Sequence, residues 1–201
     1  MFFPQHLDSI KALGTNVVWF MPIYPVGQIK TVNSPYCISD YKGVNPEFGT
    51  LEEFKSLVAQ CHQKGMSVIV DWVANHTSWD SNWMEHKEWY TLDDKGEIVS
   101  PANTGWLDVA DLNFDNQDMR LAMIDAMKYW VTEVGIDGFR CDAADFVPFA
   151  FYKPSTMHPG HFPLNYLFFQ KESEARNTHT YRFLSQNPVS RWPRIRNISS
   201  Q

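Results

Sequence analysis

The chain has 201 residues, 44% of them hydrophobic, with a formal net charge of −6 and a mean hydropathy of −0.35. That length can bury one good core but falls short of the ~250 residues a complete eight-stranded α/β barrel typically needs, and no run of ~18 apolar residues is present that could span a bilayer. Cys37, Cys61 and Cys141 make no disulfide framework, and the opening Met-Phe-Phe-Pro lacks the features of a secretion signal and reads as an internal start.

In chain order, Leu7, Ile10 and Leu13 share one helical face and Gly14 ends that helix, after which Thr15 to Met21 reads as a buried strand. Thr50 and Glu53 form a capping box ahead of the apolar stripe Leu51, Phe54, Leu57, Val58 and Cys61. Gly65 closes this helix before a strand at 67–73. About forty residues then separate His76 from the next helix, and they include Trp79, Trp83, Trp89, Tyr90 and Trp106. So long a connection is usually functional, although aromatics in it can equally form a small core of their own. Asn116 is the N-cap of a helix carrying Met123, Ile124, Met127, Val131 and Val134, Gly135 stops it, and Ile136 to Asp142 is the next strand. Strand, helix and strand alternate as in right-handed βαβ units, an α/β fold with a parallel sheet.

Composition changes near Phe151. Residues 1–151 carry 10 Lys/Arg against 21 Asp/Glu, whereas 152–201 carry 7 against 2, with five of the twelve prolines and no sustained period. This segment reads as an atypical basic tail, frame-shifted or disordered. It has no recognisable nucleic-acid-binding module, so neither a nucleic-acid nor a membrane partner is expected; the compartment is left open. The sequons at Asn75 and Asn197 are read as unmodified, since a glycan at Asn75 would obstruct the block described next.

Gly138-Phe139-Arg140-Cys141-Asp142 places Arg140 two positions before Asp142, on one face of an extended chain. A guanidinium within reach favours an ionised acid and orients it through its planar fork, so the pair suits a carboxylate that acts as a nucleophile or steadies a cationic transition state. Taken alone, such a pair is more often a structural ion bridge. Asp71-Trp72-Val73-Ala74-Asn75-His76 follows the apolar run 66–70, and Asp111-Leu112-Asn113 precedes a helix. Tyr36 and the stretch Asn45-Pro46-Glu47-Phe48-Gly49-Thr50 lie after the first strand. From about residue 5 to residue 149, these ordered motifs resemble the alpha-amylase family of glycoside hydrolases.

The resemblance implies a partial TIM (β/α)8 barrel covering about strands two to four in residues 1–151, with a short excursion called domain B at about 77–112. It implies Asp142 as the nucleophile, oriented by Arg140, with His76 hydrogen-bonding the sugar, Tyr36 stacking beneath it and Asp71 bracing the site. Asn75 resembles a residue that ligates calcium through its amide oxygen, so calcium is the cofactor implied. The partner would be an alpha-glucan or malto-oligosaccharide, cleaved by a retaining mechanism, with α-1,4 linkage expected first.

Departures are also visible. Asp145-Phe146 stands where many relatives have Lys-His, and Val109-Ala110-Asp111 lacks the residues typical of the α-1,6-specific branch. The family's acid/base glutamate lies at the end of the fifth strand. Glu172 and Glu174 are the only later acids; the prolines before them are expected to prevent a continuous helix, and no strand is expected ahead of them. The chain is therefore expected to be weakly active or inactive by itself. A non-catalytic carbohydrate-binding or interaction module is the alternative. Phosphate loops, His-Glu-x-x-His, Cys-x-x-Cys and nucleophile-elbow patterns are missing.

Overall fold

The structure, a computed structural model, describes residues 4–152 in full and the backbone of 167–171 and 181–183. Helix α1 (Leu7–Ala12) follows a 3-10 turn and is shorter than expected. Leu7 is buried, but Leu13 caps the helix instead of extending its apolar stripe and is 86% exposed. Strand β1 (Val17–Phe20) comes next. Helix α2 (Leu51–Gln63) starts at the expected capping box: Thr50 Oγ1 accepts from Glu53 N at 3.2 Å, and Thr50 N donates to Glu53 Oε2 at 2.8 Å.

Strand β2 (Ser67–Val73) pairs parallel to β1. Beyond it, β3 (His76–Thr77) and β4 (Ala110–Asp111) pair antiparallel, so the two ends of the long connection are tied together next to His76. Helix α3 (Gln117–Tyr129) is capped by Asn116 Oδ1, which accepts from Met119 N at 2.9 Å. One π-turn at Trp130–Val134 extends it to Gly135, whose φ of 84° sets the left-handed stop. Strand β5 (Gly138–Asp142) pairs parallel to β2.

In this register one face of the sheet carries Phe20, Val68, Val70, Trp72, Phe139 and Cys141. It packs on α2 and the π-turn: Phe20 meets Phe54 at 5.4 Å, Trp72 meets Phe139 at 5.0 Å, and Phe54 meets Trp130 at 5.9 Å. The opposite face carries Trp19, Ile69, Asp71, Arg140 and Asp142. It is this second face that bears the ionisable groups. Trp72, Trp130, Tyr24 and Tyr41, all fully buried, form the aromatic centre of the core.

Most of 152–201 lies outside the described residues, as do Glu172 and Glu174. The expectation that no strand precedes Glu172 is overturned. Strand β6 (Leu167–Lys171) pairs parallel to β5, and β7 (Tyr181–Phe183) pairs antiparallel to β6. The segment Leu167-Phe168-Phe169 has the aromatic content that suits a strand, but it is too short to show a period without its neighbour β5. Among the described residues the main sheet is thus a partial, mostly parallel one in the order β1-β2-β5-β6-β7. No described helix is long and apolar enough to cross a membrane.

Candidate active site

Asp71 and Arg140 face each other in register on β2 and β5, near the C-terminal ends of both strands. Arg140 Nη1 donates to Asp71 Oδ1 and Oδ2 at 3.0 and 2.9 Å and to Asp142 Oδ1 at 2.6 Å. One guanidinium nitrogen therefore ties a fully buried carboxylate to one at the sheet's rim, with side-chain exposures of 0% and 24%. Arg140 also lies 5.3 Å from the centre of the Trp19 ring, which comes from β1 on the same face.

Burial pushes the Asp71 carboxyl up to about 7, against the opposing pull of Arg140 and a hydrogen bond from Trp19. Burial also works against the charge of Arg140, but Asp71 and Asp142 outweigh it and move Arg140 further above its ordinary value. Tyr36 is raised by burial and by the two carboxylates, with Arg140 offsetting part of the effect through a hydrogen bond.

His76 is 4% exposed, and burial brings it down to about 4, so the ring is neutral near pH 7. Its Nδ1 lies 3.2 Å from Asn75 Nδ2. An amide NH2 only donates, so Nδ1 accepts and the ring proton sits on Nε2. The turn that presents His76 is held from below: the Tyr41 hydroxyl lies 2.7 Å from the carbonyl of Val73 and 2.8 Å from that of His76, and Tyr24 donates to the carbonyl of Asp71 at 3.0 Å. After Asp142 the chain bends sharply through Ala143, whose φ of +47° is unusual for a residue with a side chain.

Tyr36, His76 and Asp142 meet in one cleft of about 230 Å³, together with Ser34, Trp106, Asp108 and Val109. Of the site residues the resemblance assigns, these three reach the cleft. Asp71 and Arg140 support it from the sheet, and Asn75 is buried beside His76 without lining it. Trp19, Ser34 and Asp108 escape sequence reasoning. Trp19 could have been found, because it sits on the same alternation as the charged face; Ser34 and Asp108 lie in loops with no period to read. Among the connection's aromatics, Tyr90 is buried and Trp83 packs between Tyr41 and Trp89 at 4.7 and 5.3 Å, so these form a local core. Trp106 is the one that lines the cleft, with its ring 5.6 Å from His76.

Calcium takes six to eight oxygen ligands, usually with several carboxylates. Among the described residues no three His, Cys, Asp or Glu side chains converge to hold an ion, and Asn75 turns its amide nitrogen to His76. No step below runs through calcium.

A neutral donor, an oriented carboxylate and an aromatic ring around a space for about one sugar unit is an arrangement suited to glycosyl chemistry. Comparisons with known proteins show the family. Residues 3–97 and 103–184 match the family profile described as "Alpha amylase, catalytic domain", a match that continues past residue 149. The chain is 30% identical over 184 residues to a probable oligo-1,6-glucosidase 2 of Bacillus subtilis (strain 168), covering 75% of this chain and 32% of that one. It is 42% identical to the crystal structure of an alpha-amylase from Lactobacillus plantarum, with a TM-score of 0.69, covering 74% of this chain and 35% of that one. A noncanonic maltogenic alpha-amylase from Thermotoga neapolitana is 34% identical with a TM-score of 0.75, covering 84% of this chain and 40% of that one. The chain spans about a third of the length of the curated relatives it matches.

Proposed function

The chain belongs to the alpha-amylase family of glycoside hydrolases, and on that premise we propose that its cleft binds an α-glucosyl unit of a malto-oligosaccharide or α-glucan, with Asp142 as the nucleophile. The observation that carries this reading is the single Arg140 nitrogen that clamps Asp71 and Asp142 together while Asp142 faces the cleft. Asp142 Oδ1 is held by Arg140, which leaves Oδ2 to approach the anomeric carbon. In a retaining mechanism that oxygen bonds to the carbon as the glycosidic bond breaks, and water later releases the sugar.

His76, neutral with its proton on Nε2, donates to a sugar hydroxyl without adding a positive charge that would compete with Arg140 for the nucleophile. Tyr36 offers a ring face to the sugar. Asp71 fixes Arg140 and does not touch the substrate, since it is fully buried behind the guanidinium. In barrel terms, we assign β1, β2 and β5 to the family's second, third and fourth strands and residues 77–112 to domain B, whose aromatics other than Trp106 support it from within. The first linkage we assign is α-1,4.

A retaining enzyme also needs an acid to protonate the departing oxygen. Among the described residues no glutamate lines the cleft. We therefore propose that this chain turns over ordinary glucosides weakly at best, because loss of general acid catalysis costs about 10²- to 10⁴-fold. Titrating maltotriose into the wild-type chain and Asp142→Ala, with tryptophan fluorescence as the signal, tests the binding reading. Saturable binding that changes several-fold in the variant is expected. Equal binding by both proteins would favour a non-catalytic sugar-binding module, and no binding by either would contradict the reading.

A further inference from the structure

Asp108 is a second carboxylate in the cleft, and the mechanism above does not use it. Its backbone is fixed from two sides. Its carbonyl accepts from Cys37 Sγ at 3.0 Å, and the adjacent Leu107 carbonyl accepts from Trp79 Nε1 at 3.0 Å. Burial pushes the Cys37 thiol up to about 11, so it keeps the proton it donates. Two residues further on, Ala110 and Asp111 pair with Thr77 and His76, so the β3-β4 ladder sets Asp108 at a fixed offset from the imidazole.

The carboxylate, by contrast, is unclaimed: no side chain or backbone N–H among the described residues donates to it or pairs with it, though it is half-buried on the cleft wall. An ionised carboxylate only accepts, through two oxygens. The same lining holds His76, a neutral ring with one N–H, and Asp142. Aliphatic hydroxyls, which both donate and accept, satisfy such a mixture of groups. A second anion does not, because the cleft lining includes two carboxylates and no Lys or Arg.

We propose that Asp108 is a specificity-determining residue that accepts hydrogen bonds from hydroxyl groups of the sugar seated against Asp142 and excludes anionic sugars such as phosphorylated ones. This rests on the reading of the cleft as an α-glucosyl site. Asp108 has no part in bond making; it selects which sugar stays.

Calorimetric titration of the full chain with maltose and with maltose 6′-phosphate tests the assignment. Asp108→Ala should weaken maltose binding about 10- to 100-fold, the range for a lost hydrogen bond to a charged group. Asp108→Asn, which keeps the shape and an acceptor, should weaken it less. The wild type should prefer maltose to its phosphate, and both variants should narrow that preference. If Asp108→Ala fails to fold, the narrowing in Asp108→Asn decides alone. Maltose affinity unchanged in Asp108→Ala together with an unchanged phosphate preference would overturn the proposal. Asp142→Asn separates the two ideas: if it alters maltose binding while the Asp108 variants do not, only the role of Asp108 fails, whereas a wild type that binds no maltose contradicts the cleft reading itself.

Discussion

Asp71 and His76 are buried within one site, and burial opposes charge in both, with opposite consequences for pH. His76 is at about 4 in the folded chain against an ordinary 6.5, so between those values the unfolded chain holds a proton the folded one lacks, and stability falls as pH is lowered. Asp71 is at about 7 against an ordinary 3.8, so the folded chain holds the extra proton and stability rises as pH is lowered through the same window. The His76 effect is on the order of 3 kcal/mol and the Asp71 effect on the order of 4, and with opposite signs they largely offset each other. His76→Gln should therefore grow more stable as pH falls from 7 towards 4, and Asp71→Asn should grow less stable from 6.5 towards 4. Urea midpoints measured at several pH values check this, and equal slopes in the two variants would contradict it. At this scale Arg140 and Asp142 were legible from their spacing of two on a strand, because alternation puts such residues on one face. Asp108 was not, because its position depends on a thiol 71 residues away in sequence and on an indole that holds the neighbouring Leu107 from 28 residues away.

Among the elements, the turn after β2 depends on a side chain from outside the sheet. The Tyr41 hydroxyl shares its one proton between the Val73 and His76 carbonyls, and Trp130 Nε1 in turn donates to the Tyr41 carbonyl at 2.6 Å. Tyr41→Phe keeps the ring packing but removes this donor from a buried pair of carbonyls, which should cost about 1–3 kcal/mol in denaturant unfolding. It should also weaken maltotriose binding, since His76 sits on that turn. Wild-type stability in this variant would show that the turn is held by its backbone alone. The helices at 51–63 and from 117 onward were readable because their caps and stripes are local signals. The short pieces were not: Leu13 falls just beyond its helix, and β6 is recognisable only through its pairing with β5. The connection's aromatics were ambiguous in sequence, and packing divides them, with Trp83, Trp89 and Tyr90 turned inward and Trp106 left to the cleft.

For the whole molecule, a partial parallel sheet places one charged face against a cleft and one apolar face against helices, the division of labour found where active sites sit at the C-terminal ends of barrel strands. If Asp142 is a nucleophile set up by Arg140, its reactivity should be detectable even where an acid is lacking, provided the leaving group needs no proton. Fluoride is such a group. Incubating the 201-residue chain with 5-fluoro-α-D-glucosyl fluoride and digesting it for mass spectrometry tests this most directly, because the added fluorine slows release of the sugar from the enzyme. A covalent fluoroglucosyl group on Asp142, absent from Asp142→Asn, is the result predicted. A wild-type chain that binds maltotriose yet carries no label, or carries it on another residue, would contradict the assignment of Asp142 as the nucleophile.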